Sequence, residues 1–360
     1  MAASIQQTTQ VVDVVIACHN PQRPIGRAVR SVLKGNGDVA RPIVVCHNVS
    51  LEAVRSAIPE QLRGGVIFLE FHDGIHSPTG PFMYGLEHAM APWVMIMGSD
   101  DELQPGAVRS VLKRSAGADA VIMRCERAGS SVPTPPVRLL PHRFRNIVRD
   151  RLLYRSAPLG IMRRDFLREH QISLTAGLST GEDLEFTLKL WAEGRIRVQR
   201  SGPGYQINED ATDRVTMRLA PAADEMRHCE VLWADGGPKD PAVREALALK
   251  YLRIHFFGFA WLRATAGAWA PGDREYIAHW VAVILEAAPR CERILSRADG
   301  QLLRALKDPG VPMDTLNHAA TARRAFGKPA TLLPGDLRCV WHREAPLRFM
   351  MASAAARVLR

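Results

Sequence analysis

Long apolar stretches are what this 360-residue sequence most clearly lacks. No run approaches the roughly 20 uncharged apolar residues that a membrane span requires. The opening MAASIQQTTQ has neither the basic segment nor the apolar core of a signal peptide. A soluble, cytoplasmic globular protein is therefore expected. Cysteine is sparse as well. The six (Cys18, Cys46, Cys125, Cys229, Cys291 and Cys339) are scattered, without the paired spacing that binds zinc or runs a redox exchange, so reduced structural thiols are expected. Acidic residues are outnumbered, 37 against 47 Lys and Arg, and the net charge of +10 favours anionic partners such as nucleotides, anionic lipid surfaces or nucleic acid. Helix-turn-helix patterning, zinc-finger spacing and an RNA-binding aromatic signature are all missing, so no nucleic acid is expected.

What is present is a core's worth of hydrophobic residues, 47% of the chain, enough for two domains or for one large domain with an extension. Up to about residue 215, short apolar runs alternate with helical patterns. Strands are expected over residues 12–17, 43–46, 66–71, 93–97, 118–123 and 157–162, with helices between them over 25–33, 51–62, 82–90, after Pro105, over 164–170 and from Glu182 to Gly194. Alternation of this kind predicts a mostly parallel α/β sheet with helices on both faces. Thr180 reads as the N-cap of the last of these helices. Ligands of such sheets sit beyond the carboxyl ends of the strands. The ends here are polar: Cys18-His19-Asn20, Cys46-His47-Asn48, His72-Asp73-Gly74 and Gly98-Ser99-Asp100-Asp101. GSSVPTPP, residues 129–136, reads as a surface loop or a flap over the crevice. Residues 216–360 form a helical, strand-poor region. Its aromatic segment KYLRIHFFGFAWLRATAGAWA is expected to pack into a core, since Arg253, His255 and Arg263 interrupt any membrane-facing stretch. The last residues, PLRFMMASAAARVLR, suit a basic amphipathic tail.

Two acidic constellations carry the candidate chemistry. In WVMIMGSDDELQPG a strand pattern ends in glycine and two adjacent carboxylates, Asp100 and Asp101. Adjacent anions repel, so a cation or a set of donors is expected beside them. Hard oxygen ligands at a strand end suit a divalent ion on a nucleotide diphosphate, and Asp100 is placed for it. Asp101 is open to a second ligand role, a water-mediated one, or that of an anion at the next helix start. The second constellation is Thr180-Gly181-Glu182-Asp183, where a carboxylate at a helix start serves either as a base for a sugar hydroxyl or as a helix-dipole partner.

Taken together, VVDVVIACHNPQRPIGRAVRSVL, GPFMYGLEHAMAPWVMIMGSDDELQPGAV and GIMRRDFLREHQISLTAGLSTGEDLEFTLKLWAEG, in this order, resemble the family 2 glycosyltransferases of the GT-A fold over roughly residues 11–215. The family's Pro-Thr-Tyr-Asn-like turn is matched by Ala17-Cys18-His19-Asn20, its helix before the metal motif by Gly85 and Ala89, and its late Glu-Asp pair by Glu182-Asp183. There are departures. The aspartate-rich turn after the second strand is here Cys46-His47-Asn48-Val49-Ser50. The Asp-x-Asp-Asp motif begins with Gly98, an Arg-Asn pair becomes Phe82-Met83, and residues 205–216, YQINEDATDRVT, keep little of the family's donor-closing loop. No Gln-x-x-Arg-Trp segment of processive synthases is found.

The resemblance implies a GT-A, Rossmann-like domain over residues 1–215 and a mainly helical C-terminal region over 216–360. It implies inverting transfer of a single sugar from a UDP- or GDP-sugar type donor to an acceptor hydroxyl; the basic charge and the helical aromatic tail suggest a glycan or lipid-linked acceptor of cell-envelope glycan synthesis. Asn20, His47, Ser99 and Asp100 would contact the donor, Asp100 and Asp101 would hold Mn²⁺ or Mg²⁺, and Asp183 would be the general base. His72 and His76 are open to donor contact or to ordinary loop roles, and Arg163 and Arg164 to phosphate pairing or solvated positions. The basic balance is compatible with peripheral contact at the inner face of an anionic membrane. Two other readings stand beside it: a non-catalytic nucleotide-sugar-binding relative, and a basic interaction protein on the same scaffold.

Overall fold

The computed structural model describes residues 11–127, 129–132, 143–210 and 219–358. In chain order its strands are β1 (Val12–Cys18), β2 (Ala40–His47), β3 (Ile67–Phe71), β4 (Trp93–Gly98), β5 (Glu102–Leu103), β6 (Ala120–Ile122), β7 (Cys125–Arg127), β8 (Ser130–Val132), β9 (Gly160–Arg163), β10 (Ile196–Val198) and β11 (Tyr205–Ile207). Seven of them form the central sheet in the order β10-β6-β9-β4-β1-β2-β3. All its pairings are parallel except those of β9, which runs antiparallel to both β4 and β6. A small second sheet, β5-β11-β7-β8, adjoins the end of β4.

Side chains along β1 alternate between two cores, as a strand buried on both faces must. Val12, Val14 and Ile16 pack with Ile25, Ala28, Val29 and Val32, the apolar face of helix Ile25–Leu33. Val15 faces the other way, toward helix Thr79–His88. Gly85 permits that approach: a Cβ there would stand 2.3 Å from Val15 Cγ1 and 3.0 Å from Val45 Cγ2. This second core does not end with the sheet. It runs on through Trp233, Tyr251, Phe257, Ile284 and Leu316, so the helical region is built directly onto one face of the α/β domain.

Several expectations need correction. The helix expected over 51–62 is two short helices, Leu51–Ser56 and Glu60–Arg63. Pro59, which has no N–H to donate, stands between them. Thr180 is not an N-cap: helix Asp183–Glu193 begins later, and the Thr180 hydroxyl instead donates to the Glu225 carbonyl at 3.0 Å. The left-handed Gly181 (φ 77°) turns the chain between them. Residues 133–136 of the proline-rich loop lie outside the described residues, as do 211–216 of the donor-closing segment.

The aromatic segment behaves as core, with Tyr251, Phe256, Phe257 and Phe259 buried. Among the described residues no helix is long and apolar enough to cross a membrane. Helix Pro346–Val358 is docked rather than free at its start. Its Phe349 ring lies 5.2 Å from Tyr154 and beneath Arg151 and Arg253, while the buried Glu344 just before it accepts from Arg151 Nε at 3.0 Å and Tyr154 Oη at 3.1 Å. All six thiols are free, and five are buried.

Candidate active site

β4 is buried from Val94 to Met97 and ends at Gly98, after which Ser99 and Asp100 remain buried, at 1% and 6% exposure. A Cβ on Gly98 would stand 2.9 Å from Asp101 Oδ2 and 3.0 Å from Asp100 Oδ1. Glycine thus lets both carboxylates fold back over the strand end.

Their mutual repulsion is met in two different ways. Asp101 is satisfied by neutral donors: Tyr205 Oη donates to Oδ2 at 2.6 Å and the Asn208 amide to Oδ1 at 2.9 Å. Tyr205 is delivered by β11, whose antiparallel pairing with β5 sets it opposite Leu103. Burial, and then the Asp101 charge, push its phenol well above the usual range, so it stays protonated and donating. Asp100 is met by cations. Arg23 Nη1 lies 3.7 Å from Asp100 Oδ1 and 3.4 Å from Ser99 Oγ, and Arg27 Nη2 donates to the Asp100 carbonyl. Arg27 also reaches Asp210 at 2.6 Å and Glu102 at 3.5 Å. Its hydrogen bond to Asp210 is the largest influence raising its proton affinity.

Asn20 helps to set this up. Its Oδ1 accepts from Gln22 N at 2.9 Å and its carbonyl accepts from Arg23 N at 3.1 Å, a turn that presents Arg23 to the strand end. Neither arginine was singled out from the sequence, although a signal existed. Arg27 sits in the first turn of helix Ile25–Leu33, which has no acidic residue there, against the preference of the helix dipole.

One strand over, His47 is almost fully buried at the end of β2. Its Nε2 lies 2.8 Å from Asp73 Oδ1, and Asn48 Nδ2 reaches the same oxygen at 3.2 Å. Asn48, in the left-handed region at φ 55°, accepts through Oδ1 from Asp73 N and Gly74 N. Burial raises the proton affinity of Asp73, but the Ile75 amide, His47 and Asn48 outweigh it and hold the carboxyl below its ordinary value. His47 is therefore tied into the wall of the crevice, while His72 and His76 are exposed on the loop. Arg163 and Arg164 lie elsewhere. Arg163 pairs with Trp93, the first residue of β4, and bridges to Asp119 at 3.1 Å, which puts both arginines at the opposite edge of the sheet. A cavity lined by Met83, Leu86, Val94, Arg164, Leu167 and Ile172 opens on that side.

The loop leading to Glu182 and Asp183 is brought to the carboxyl edge by two bonds to the start of helix Thr79–His88. Ser77 Oγ donates to the Leu178 carbonyl at 2.9 Å, and Thr79 Oγ1 to the Thr175 carbonyl at 3.0 Å. Burial, followed by the charge of Asp183, pushes the Glu182 carboxyl up to about 7. Burial also raises Asp183, with the Lys250 cation acting against it. A carboxylate of raised proton affinity is what a general base near neutral pH requires.

Among the described residues no three His, Cys, Asp or Glu side chains form a ready metal cage. Asp101 already accepts a bond at each oxygen. That leaves Asp100 as the carboxylate best suited to an ion. One or two carboxylates completed by substrate phosphates and water are enough for Mg²⁺, so the residues fit an ion that arrives with a diphosphate.

Residues 13–170 match the model of the family described as Glycosyl transferase family 2. Among curated relatives, the succinoglycan biosynthesis protein ExoO of Rhizobium meliloti (strain 1021) is 28% identical over 222 residues, 57% of this chain and 63% of that protein. The chain thus spans somewhat less than two thirds of that relative's length. Among solved structures, S. aureus TarS 1–349 in complex with UDP-GlcNAc superposes with a TM-score of 0.69 at 16% identity, covering 87% of this chain and 91% of that one. The same protein in complex with UDP gives a TM-score of 0.65 at 16% identity, with the same coverage. At that identity the likeness shows the fold, and it extends through the helical region.

Proposed function

We propose, from the match of residues 13–170 to the model of glycosyl transferase family 2, that this chain moves a single sugar from a nucleoside diphosphate donor to an acceptor hydroxyl with inversion. The observation that carries this reading is the meeting of two unlike carboxylate sites at one sheet edge: Ser99-Asp100 beside Arg23 at the end of β4, and Glu182-Asp183 on the loop bound to helix Thr79–His88.

Asp100 would hold the Mn²⁺ or Mg²⁺ that accompanies the donor. Such an ion neutralises the diphosphate and stabilises the charge that develops as it leaves. Arg23 and Arg27 add positive charge beside the same carboxylate. Asp101 acts through Tyr205 and Asn208, fixing the segment that leads to residue 210 against the strand end. Asn20 shapes the turn, Ser99 lines the donor side, and His47 with Asp73 forms the wall where the base of the nucleotide would lie. Asp183 takes the proton of the acceptor hydroxyl as that oxygen attacks. One displacement on one face gives inversion.

UDP- and GDP-sugars are the donor class, and a glycan or lipid-linked intermediate of polysaccharide assembly is the acceptor class. The part that ExoO's name gives it, in succinoglycan biosynthesis, supports that choice. The surplus of basic residues supports action in the cytoplasm at the inner face of an anionic membrane. Thermal-shift screening of nucleotide sugars with and without Mn²⁺ tests the donor assignment, because a ligand that binds only the folded state raises the melting temperature. A rise with one donor class that requires the ion is expected. Identical melting with every nucleotide sugar contradicts the reading.

A further inference from the structure

Lys250 is an anomaly. It is the last residue of helix Pro241–Lys250 and is only 2% exposed, although an ammonium group is costly to withdraw from water unless something compensates it. Its Nζ donates to Ser156 Oγ at 2.8 Å, a neutral partner that leaves the charge unbalanced. Among the described residues it makes no direct ion pair.

The groups around it narrow the choice of counter-charge. His228 is buried, with Nδ1 3.1 Å from Tyr251 Oη, and burial drops it to about 3. His255 is held neutral in the same way, burial first and then His228 and Lys250. The Tyr251 phenol is pushed far up by burial, and the Cys229 thiol is held protonated by the same cause. Glu185 is already paired with Lys189 at 2.9 Å. Asp183 and Glu182 remain. The influences acting between side chains run both ways between Lys250 and Asp183, whereas Glu182 responds to burial and to Asp183.

The packing agrees. Trp191, on the helix that Asp183 opens, donates through Nε1 to the Arg155 carbonyl at 3.0 Å, so the helices of Asp183 and Lys250 are both fastened to residues 155–156. Gly181 lies so close to the His228 ring that a Cβ would stand 2.5 Å from Cδ2. Thr180 is bound to Glu225. The turn before Asp183 therefore rests on the helical region.

We propose that Lys250 is a positioning residue that keeps Asp183 ionised as the base, so that the helical region completes the acceptor side of the site. The proposal rests on the reading of Asp183 given above. Burial alone favours the protonated, inactive acid, and a buried cation facing the carboxylate opposes it. Removing the cation must raise the proton affinity of Asp183 and move the acid limb of kcat/KM toward higher pH.

Lys250→Met keeps the length and apolar stem of the side chain but leaves Asp183 without its counter-charge, so the variant is compared only where circular dichroism shows it folded, with Lys250→Arg as the charge-keeping partner. Asp183 can be followed directly by ¹³C NMR of labelled aspartate carboxyls, with Asp183→Asn identifying its signal. This readout needs no transfer activity. The expected result is a titration midpoint for Asp183 that rises in Lys250→Met and returns toward the parent in Lys250→Arg. With it, kcat/KM at pH values below the parent's Asp183 midpoint should fall, by about 10-fold for each pH unit that the midpoint rises, because a base titrated below its midpoint keeps an ionised fraction that drops about tenfold per unit. Little change is expected at pH 9. Coincident midpoints in parent and folded Lys250→Met overturn the proposal. If Asp183→Asn transfers sugar normally, the reading of Asp183 as base fails instead, and the two failures are told apart.

Discussion

The two acidic sites at the carboxyl edge are built on opposite principles. At the end of β4, Asp100 and Asp101 are surrounded by donors and cations: Arg23, Arg27, Tyr205 and Asn208. At the start of helix Asp183–Glu193, burial outweighs the partners of Glu182 and Asp183, among them the Lys250 cation acting on Asp183, and raises the proton affinity of both. One arrangement suits holding a cation and a diphosphate, and the other suits taking a proton. Unlike surroundings for like groups are one way a single crevice divides binding from acid–base work.

The comparison is broken most severely at the base. Asp183→Asn should lower turnover at saturating donor by about 10²–10⁴-fold, the usual range for a general base, with donor affinity nearly unchanged. Glu182→Gln, in the same turn, should lose much less. Equal losses in both would mean that the helix start had been displaced and that no proton-transfer role had been isolated. At the binding site the expectation is reversed. Asp100→Asn should weaken ion-dependent donor binding in the thermal-shift assay by at least about tenfold, and an unaltered ion dependence would remove Asp100 as the ligand. The smallest effect is expected at Tyr205→Phe. It leaves Asp101 short of one donor at a cost of about 1–3 kcal/mol, so the melting temperature should fall while turnover of the folded protein changes little. A large loss of turnover there would give the Asp101 clasp a direct part in the reaction and blur the contrast between the sites.

Much of the α/β half was legible because its signals are local. The strand at 93–98 is a continuous apolar run and that at 12–18 is apolar but for Asp13, and helix Ile25–Leu33 shows its buried face in the spacing of Ile25, Ala28, Val29 and Val32. The candidate carboxylates were legible from their placement at strand and helix ends. The antiparallel β9 was not, since direction in a sheet leaves no mark on a short apolar run. The partners of the carboxylates were equally hidden. Tyr205 reaches Asp101 across 104 positions, Arg27 reaches Asp210 across 183, and Lys250 is bonded to Ser156 across 94. Only chain topology brings these together. Lys250 gave no local warning at all, for it opens the aromatic helical segment, where a lone lysine is ordinarily a solvated residue.

Transfer with inversion at this edge is tested most directly by the first anomer released. The intact chain, supplied with an α-linked nucleoside diphosphate sugar and the divalent ion, can be followed by ¹H NMR during slow hydrolysis, water standing in for the acceptor. The β-anomer should appear first and then equilibrate, and Asp183→Asn should suppress its release. First appearance of the α-anomer, or equal release by Asp183→Asn, would contradict a single displacement assisted by Asp183.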